Sequence, residues 1–157
     1  MGEDRFDVVI IGAGLAGIGM ACHLAREHPG RRVALIERRQ RLGGTWDLFR
    51  YPGIRSDSDV FSFGYVFRPW QSPTTMADGE SIRQYIQDVA GEHGVEEKIH
   101  YGLKVQRADW NSTEGAWTLH ALHEATGRQE VFTASFLVSC TGYYDYDGGY
   151  RPSFPGQ

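Results

Sequence analysis

Gly12, Gly14 and Gly17, in the run Gly12-Ala13-Gly14-Leu15-Ala16-Gly17, have the G-x-G-x-x-G spacing that lets a peptide backbone approach phosphate. Each glycine has its own steric task. Gly12 permits a tight turn, Gly14 lets a pyrophosphate come close to the main chain, and Gly17 lets a helix lie near the preceding strand. Ala21, one helical turn beyond Gly17, keeps that contact face small. Glu37 follows twenty residues after Gly17 and can accept hydrogen bonds from a ribose diol. The same carboxylate repels a 2′-phosphate, so the pattern selects an adenosine ribose without one, as in NAD or FAD rather than NADP.

The motif needs a strand before it and a helix after it, and both are legible. Asp7-Val8-Val9-Ile10-Ile11 is a β-branched run of the kind buried on both faces of a parallel sheet. A helix is predicted from Leu15 to His28, stopped by Pro29-Gly30, and a second buried strand at Arg32-Val33-Ala34-Leu35-Ile36. Together they make a βαβ unit over residues 5–40. Residues 41–77 break the period and are rich in aromatics. Phe61, Phe63, Tyr65 and Phe67 alternate, which predicts a short extended stretch with one aromatic face. A loop this aromatic either covers a ligand or packs on its own core. Asp78 is placed to cap a helix over 79–93, with Ile82, Tyr85, Ile86, Val89 and Ala90 as its apolar stripe and Gly94 as its stop. Three short runs within 101–134, joined by Asn111–Gly115 and Ala125–Arg128, read as an antiparallel meander. A closing strand is predicted over 136–142, ending in Cys140-Thr141-Gly142, and then an irregular tail from Tyr143.

Composition narrows the class. The chain has 157 residues, 41% hydrophobic and 23% charged, enough for one compact domain without a staple. Twenty aromatic residues and twenty glycines exclude a disordered tail, a coiled coil and a disulfide miniprotein. A net charge of −4 argues against nucleic-acid binding. Arginines are dense between Arg26 and Arg55, which reads as a solvated face or as a positive rim beside a phosphate site. Cys22 and Cys140 fit no C-x-x-C pair and read as reduced thiols of a cytoplasmic protein. The six histidines have no metal-ligand spacing, so no metal is expected. No apolar run has membrane-spanning length, and Phe6 stands where an acylation signal beginning Met1-Gly2 wants Ser or Thr. Nothing in the sequence sets the oligomeric state.

Arg41-Leu42-Gly43-Gly44-Thr45-Trp46 extends the nucleotide motif as R-x-G-G-x-W and resembles FAD-binding proteins of the glutathione-reductase-like class. That class implies an α/β, Rossmann-like FAD/NAD(P)-binding domain, a parallel sheet with an antiparallel β-meander, closed by a strand ending in a triplet such as Cys140-Thr141-Gly142. From Gly43 to Asp59 the sequence is similar to the flavin-containing monooxygenases, and within them to the Baeyer–Villiger group, most of all to ethionamide-activating FAD-containing monooxygenases. Phe67-Arg68-Pro69-Trp70, Ala77-Asp78-Gly79, Ala108-Asp109-Trp110 and Tyr143-Tyr144-Asp145-Tyr146-Asp147 carry the resemblance almost to the end.

The resemblance implies roles. Backbone from Ala13 through Ala16 to Gly17 would hold the FAD pyrophosphate, Glu37 the adenosine ribose, and the main chain of Val105 the adenine. Gly44, Thr45, Trp46, Asp47 and Leu48 would lie on the flavin side, with Thr141 and Gly142 closing the turn. Arg55-Ser56-Asp57 matches an R-x-D segment beside the flavin and the NADP site, where Asp57 would be catalytic through an arginine of a later domain. The implied reaction uses NADPH, O₂ and a small ketone or organosulfur substrate. No second G-x-G-x-x-G is present, nor the family's F-x-G-x-x-x-H-x-x-x-W-P fingerprint. The expectation is therefore an N-terminal part of the FAD-binding domain, with the NADP-binding and C-terminal parts absent and the isolated chain inactive. Peripheral membrane association stays open. A flavin disulfide reductase would need a close cysteine pair, and a short-chain dehydrogenase a Tyr-x-x-x-Lys. The remaining alternative is a catalytically inactive FAD- or nucleotide-binding remnant.

Overall fold

The β-branched run after Phe6 becomes β1 (Arg5–Ile11), and Val33-Ala34-Leu35-Ile36 becomes β2 (Val33–Glu37). They pair in parallel, Ile10 beside Leu35, and are joined by α1 (Leu15–Glu27). Alternation along each strand sends side chains to two different cores. Val8, Ile10, Val33 and Leu35 face the helices, while Val9, Ala34 and Ile36 face the meander. Strands buried on both sides have no polar face to offer, which is why the sequence reads as unbroken apolar runs. The computed structural model describes residues 5–156. Met1-Gly2, weighed above as an acylation site, lies outside them.

After β2 come two four-residue helices, α2 (Thr45–Leu48) and α3 (Val60–Phe63), and then α4 (Gly79–Glu92). The Asp78 side chain accepts the Ser81 N–H at 2.9 Å and caps α4. Ile82, Ile86 and Val89 on its apolar face are fully buried beside Ile18 and Cys22 of α1. Each such aliphatic side chain contributes about 1.5–3 kcal/mol of burial free energy. A 3₁₀ turn, Glu96–Lys98, leads into β3 (Ile99–Tyr101), followed by β4 (Leu103–Asn111), β5 (Ala116–His123) and β6 (Arg128–Ser139). One six-stranded sheet results, in the order β3-β2-β1-β6-β5-β4. β3, β2, β1 and β6 run parallel, and β4-β5-β6 antiparallel.

Two sequence expectations change. The third meander run and the closing strand are one strand, β6. Its first half pairs with β5 and its second half with β1, across Ala134 and Ser135, which form no turn. The fold thereby ties the meander directly to the parallel sheet. The aromatic stretch is also not an extended strand. Phe61 and Phe63 belong to α3, capped by Asp59, and Phe61 is 57% exposed. Phe63, Tyr65, Phe67 and Trp70 pack on the core between α1 and α4. Of the two readings left open for this loop, packing on its own core describes these side chains. Among the described residues no helix is long and apolar enough to cross a membrane.

Candidate functional site

A cleft of about 820 Å³ opens beyond the C-terminal ends of β1, β2 and β6. From β1 the sheet order runs to β2 on one side and to β6 on the other, a switch point at which α/β sheets leave a crevice. The strand ends are knitted by backbone bonds: the Gly12 N–H donates to Ile36 O at 2.8 Å, and the Cys140 N–H to Ile11 O at 2.8 Å. Gly12 has φ +100°, and a Cβ on it would lie 2.5 Å from the Cys140 carbonyl oxygen. A Cβ on Gly17 would lie 1.9 Å from the Gly12 carbonyl oxygen. These two glycines set the close approach of turn, helix and closing strand. Gly14 is different. A Cβ there would meet only Gly44, at 3.5 Å, and its φ of −82° suits any residue.

Gly14 begins α1 without a side-chain cap, and the helix has no acidic residue in its first turn. The first N–H groups of a helix lack intrahelical acceptors and carry partial positive charge, so this end presents donors to the cleft at Gly14, Leu15 and Ala16. Glu37 lies on the wall, 7% exposed. Its Oε2 accepts the Ala13 N–H at 2.8 Å and its Oε1 the Arg39 N–H at 2.8 Å. Each carboxylate oxygen keeps a second lone pair for a ligand hydroxyl. Ala13 has given its N–H to Glu37, and neither it nor Gly17 lines the cleft.

A second turn meets the first. The Gly43 N–H donates to Ala13 O at 2.9 Å, and Gly44, at φ +54°, packs its Cα against Gly14. From here α2 places Thr45, Trp46 and Leu48 on the cleft wall. Asp47, expected on the same side, is turned away and only 1% exposed. Its carboxylate meets three guanidinium groups, Arg39 at 2.6 Å, Arg41 at 3.1 Å and Arg50 at 3.2 Å. Arg39 also donates to Gly44 O at 3.0 Å. A buried carboxylate must be paired, and these arginines make Asp47 the anchor behind the wall.

The opposite wall comes from β4, with Leu103, Lys104 and Val105, and from Thr141 and Gly142 after β6. Cys140 lines it too; burial raises its thiol pKa, and both Cys140 and Cys22 are free. The segment expected to be an irregular tail returns over the cleft, where Tyr144 and Asp147 join the lining. The Asp147 carboxylate sits 2.7 Å from Arg38 and 3.5 Å from Lys104, and the Tyr146 hydroxyl 3.3 Å from Thr45 Oγ1. Bonds from Arg38 hold the carboxyls of Asp147 and Glu124 below their ordinary range. Arg38, Arg39 and Lys104 are wall residues the motifs missed. Arg38 and Arg39 had a signal in their adjacency to Glu37 within the arginine-dense stretch.

Arg55, Ser56 and Asp57 do not line this cleft. Arg55 and Asp57 are exposed, while Ser56 is buried, donating its N–H to Ala77 O at 2.9 Å and its hydroxyl to Ser58 O at 2.9 Å. Asp57 is among the charges that raise the Tyr144 phenol pKa, chiefly elevated by its bond with Tyr143. Among the described residues no group of His, Cys, Asp and Glu could hold a metal ion.

A mixed sheet with a parallel half, a glycine turn, an uncapped helix and a buried carboxylate on the cleft wall gives a Rossmann-like α/β fold, and residues 10–78 match the family described as NAD(P)-binding Rossmann-like domain. The chain is 64% identical over 154 residues to MymA of Mycobacterium tuberculosis, which is named a FAD-containing monooxygenase. It is 51% identical over 153 residues to the FAD-containing monooxygenase EthA of Mycolicibacterium smegmatis. Each alignment covers 98% of this chain and 31% of the relative, so the chain spans about a third of those proteins. Among solved structures it resembles an oxidized steroid monooxygenase bound to NADP, with TM-score 0.81 and 29% identity, over 97% of this chain and 28% of that one. It also resembles OTEMO in complex with FAD and NADP, with TM-score 0.79 and 27% identity, over 99% and 28%. Over nearly its whole length the chain is thus similar to the N-terminal third of proteins named FAD-containing monooxygenases.

Proposed function

We propose that this chain forms the FAD-holding part of an NADPH-using monooxygenase that inserts oxygen beside small ketones, in the Baeyer–Villiger manner, or oxygenates sulfur. The observation that carries the reading is the convergence in one cleft of the Gly14–Gly44 floor, the uncapped α1 terminus and the buried Glu37 carboxylate. The residues fit the cofactor: the two glycines leave open a floor that side chains would fill, and the donors and acceptor suit a pyrophosphate and a ribose. Bound FAD would accept hydride from NADPH and activate O₂ for transfer of one oxygen atom to the substrate.

The chain's own contribution is binding and placement. N–H groups of Gly14, Leu15 and Ala16 would hold the pyrophosphate, with Arg39 adding positive charge from the wall. Glu37 would accept the ribose hydroxyls, and its fixed charge excludes a 2′-phosphate. Val105 would meet the adenine, and Thr45, Trp46, Leu48, Thr141 and Gly142 would shape the flavin end. Asp47 would serve as the anchor of that wall instead of a contact. Asp57, with Arg55 and Ser56 at the outer rim, would act in catalysis by pairing with an arginine of a later domain. The free thiols fit a cytoplasmic setting.

Titration of the purified chain with FAD, followed by flavin fluorescence, tests this. Saturable binding is expected, with no oxidation of NADPH, whose site we place mostly in a later domain of the longer protein. A folded chain that takes up no FAD refutes the cradle, and NADPH turnover by the chain alone refutes the placement of the second site.

A further inference from the structure

We infer that Tyr65 is a positioning residue for the phosphate-facing turn of α1, acting from outside the cleft; this rests on the reading that the cleft holds FAD. Its hydroxyl donates to the Leu15 carbonyl oxygen at 2.6 Å. The ring occupies a notch that exists because residue 19 is glycine: a Cβ there would lie 2.7 Å from the Tyr65 ring edge. Phe67 stacks on the ring at 5.0 Å and 7°, and Tyr85 at 5.5 Å and 23°. The Tyr65 N–H donates to the Tyr85 hydroxyl at 2.8 Å, which in turn donates to Arg68 O at 2.5 Å.

The Leu15 carbonyl and the Ala16 N–H belong to one peptide unit. Leu15 O accepts the hydrogen bond from the Tyr65 hydroxyl, and Ala16 lines the cleft. Hydrogen bonding at an amide oxygen polarises the unit and strengthens its N–H as a donor. Tyr65 therefore sets both the orientation and the donor strength of the Ala16 N–H. Burial raises the phenol's pKa well above its ordinary value, so the hydroxyl keeps its proton across the working pH range.

The test compares wild type, Tyr65→Phe and Gly19→Ala. Tyr65→Phe keeps the ring and removes the proton donor. Gly19→Ala keeps the hydroxyl and pushes the ring out of its notch, while favouring the helix. For each, FAD affinity, the ³¹P spectrum of bound FAD and thermal unfolding of the apo chain are measured. Both variants are expected to weaken FAD binding about three- to tenfold, the size of one lost hydrogen bond. Both should move a pyrophosphate ³¹P resonance toward its free position, with the Gly19→Ala apo chain still unfolding cooperatively. Wild-type affinity in either variant overturns the inference, as does weakened binding with unmoved ³¹P resonances, which would mark simple packing. Should Tyr65→Phe fail to fold, Gly19→Ala alone decides. A wild-type chain that does not bind FAD overturns the functional reading instead.

Discussion

A Cβ added at position 17 would sit 1.9 Å from a backbone oxygen, which cannot give way, whereas one added at position 14 would find an ordinary contact at 3.5 Å. Two glycines of one motif thus separate into a folding residue and a ligand-facing residue. Gly17→Ala is expected to destabilise the chain by more than about 3 kcal/mol, or to prevent folding, as forced overpacking does. Gly14→Ala should unfold within a few degrees of wild type and lose FAD affinity by more than about tenfold, because the methyl group enters the space proposed for the pyrophosphate. Thermal denaturation and FAD titration check the pair; equal loss of stability in both would erase the distinction. At this scale the place of Glu37 on the cleft wall was legible, because its distance from Gly17 is set by the length of one helix and one strand. Asp47 was not. Its three arginine partners come from both sides of the Gly43–Gly44 turn, and only the fold shows that their guanidinium groups meet behind the wall.

Elements with strong local signals were read correctly where one neighbour sufficed to define them. α4 announced itself through Asp78 and its apolar stripe, and the structure forms both. Asp78→Ala should cost about 1 kcal/mol at neutral pH through loss of the cap. The Asp78 carboxyl lies below its ordinary range because Ser81 hydrogen bonds to it, through its side chain and its backbone. A depressed folded-state pKa contributes stability above the unfolded pKa, and that contribution is lost as pH falls through the folded value. The gap between wild type and variant should therefore be complete at neutral pH and close below about pH 4. Denaturant unfolding across that range measures it, and a gap independent of pH would contradict the cap. Elements with two possible partners were not legible in this way. β6 looked like two strands because its halves pair with different neighbours. The aromatic alternation of Phe61 to Phe67 suggested an extended segment, yet its local structure is set by the Asp59 cap and by the surfaces of α1 and α4.

Across the whole molecule, the return of residues 143–147 over the cleft is the feature with no sequence signal, since it depends on charges brought together from four segments. Arg38 follows β2, Lys104 lies in β4, Glu124 follows β5 and Asp147 lies beyond β6, and the ion pairs among them close one end of the site. A strap held by exposed ion pairs is weak and easily screened. Its effect should therefore appear in the rate of cofactor exchange more than in the stability of the fold. Asp147→Asn is expected to speed FAD release severalfold at low ionic strength and to leave unfolding unchanged. The difference should disappear near 0.5 M salt, where the screening length falls to about 4 Å. Because Arg38 holds the Asp147 carboxyl below its ordinary range, the strap contact persists through mild acid and is lost only as pH falls through that lowered value. Stopped-flow recovery of flavin fluorescence after dilution reads the release rate directly. Identical rates for wild type and variant at low salt would mean that the segment lies over the cleft without holding what is in it.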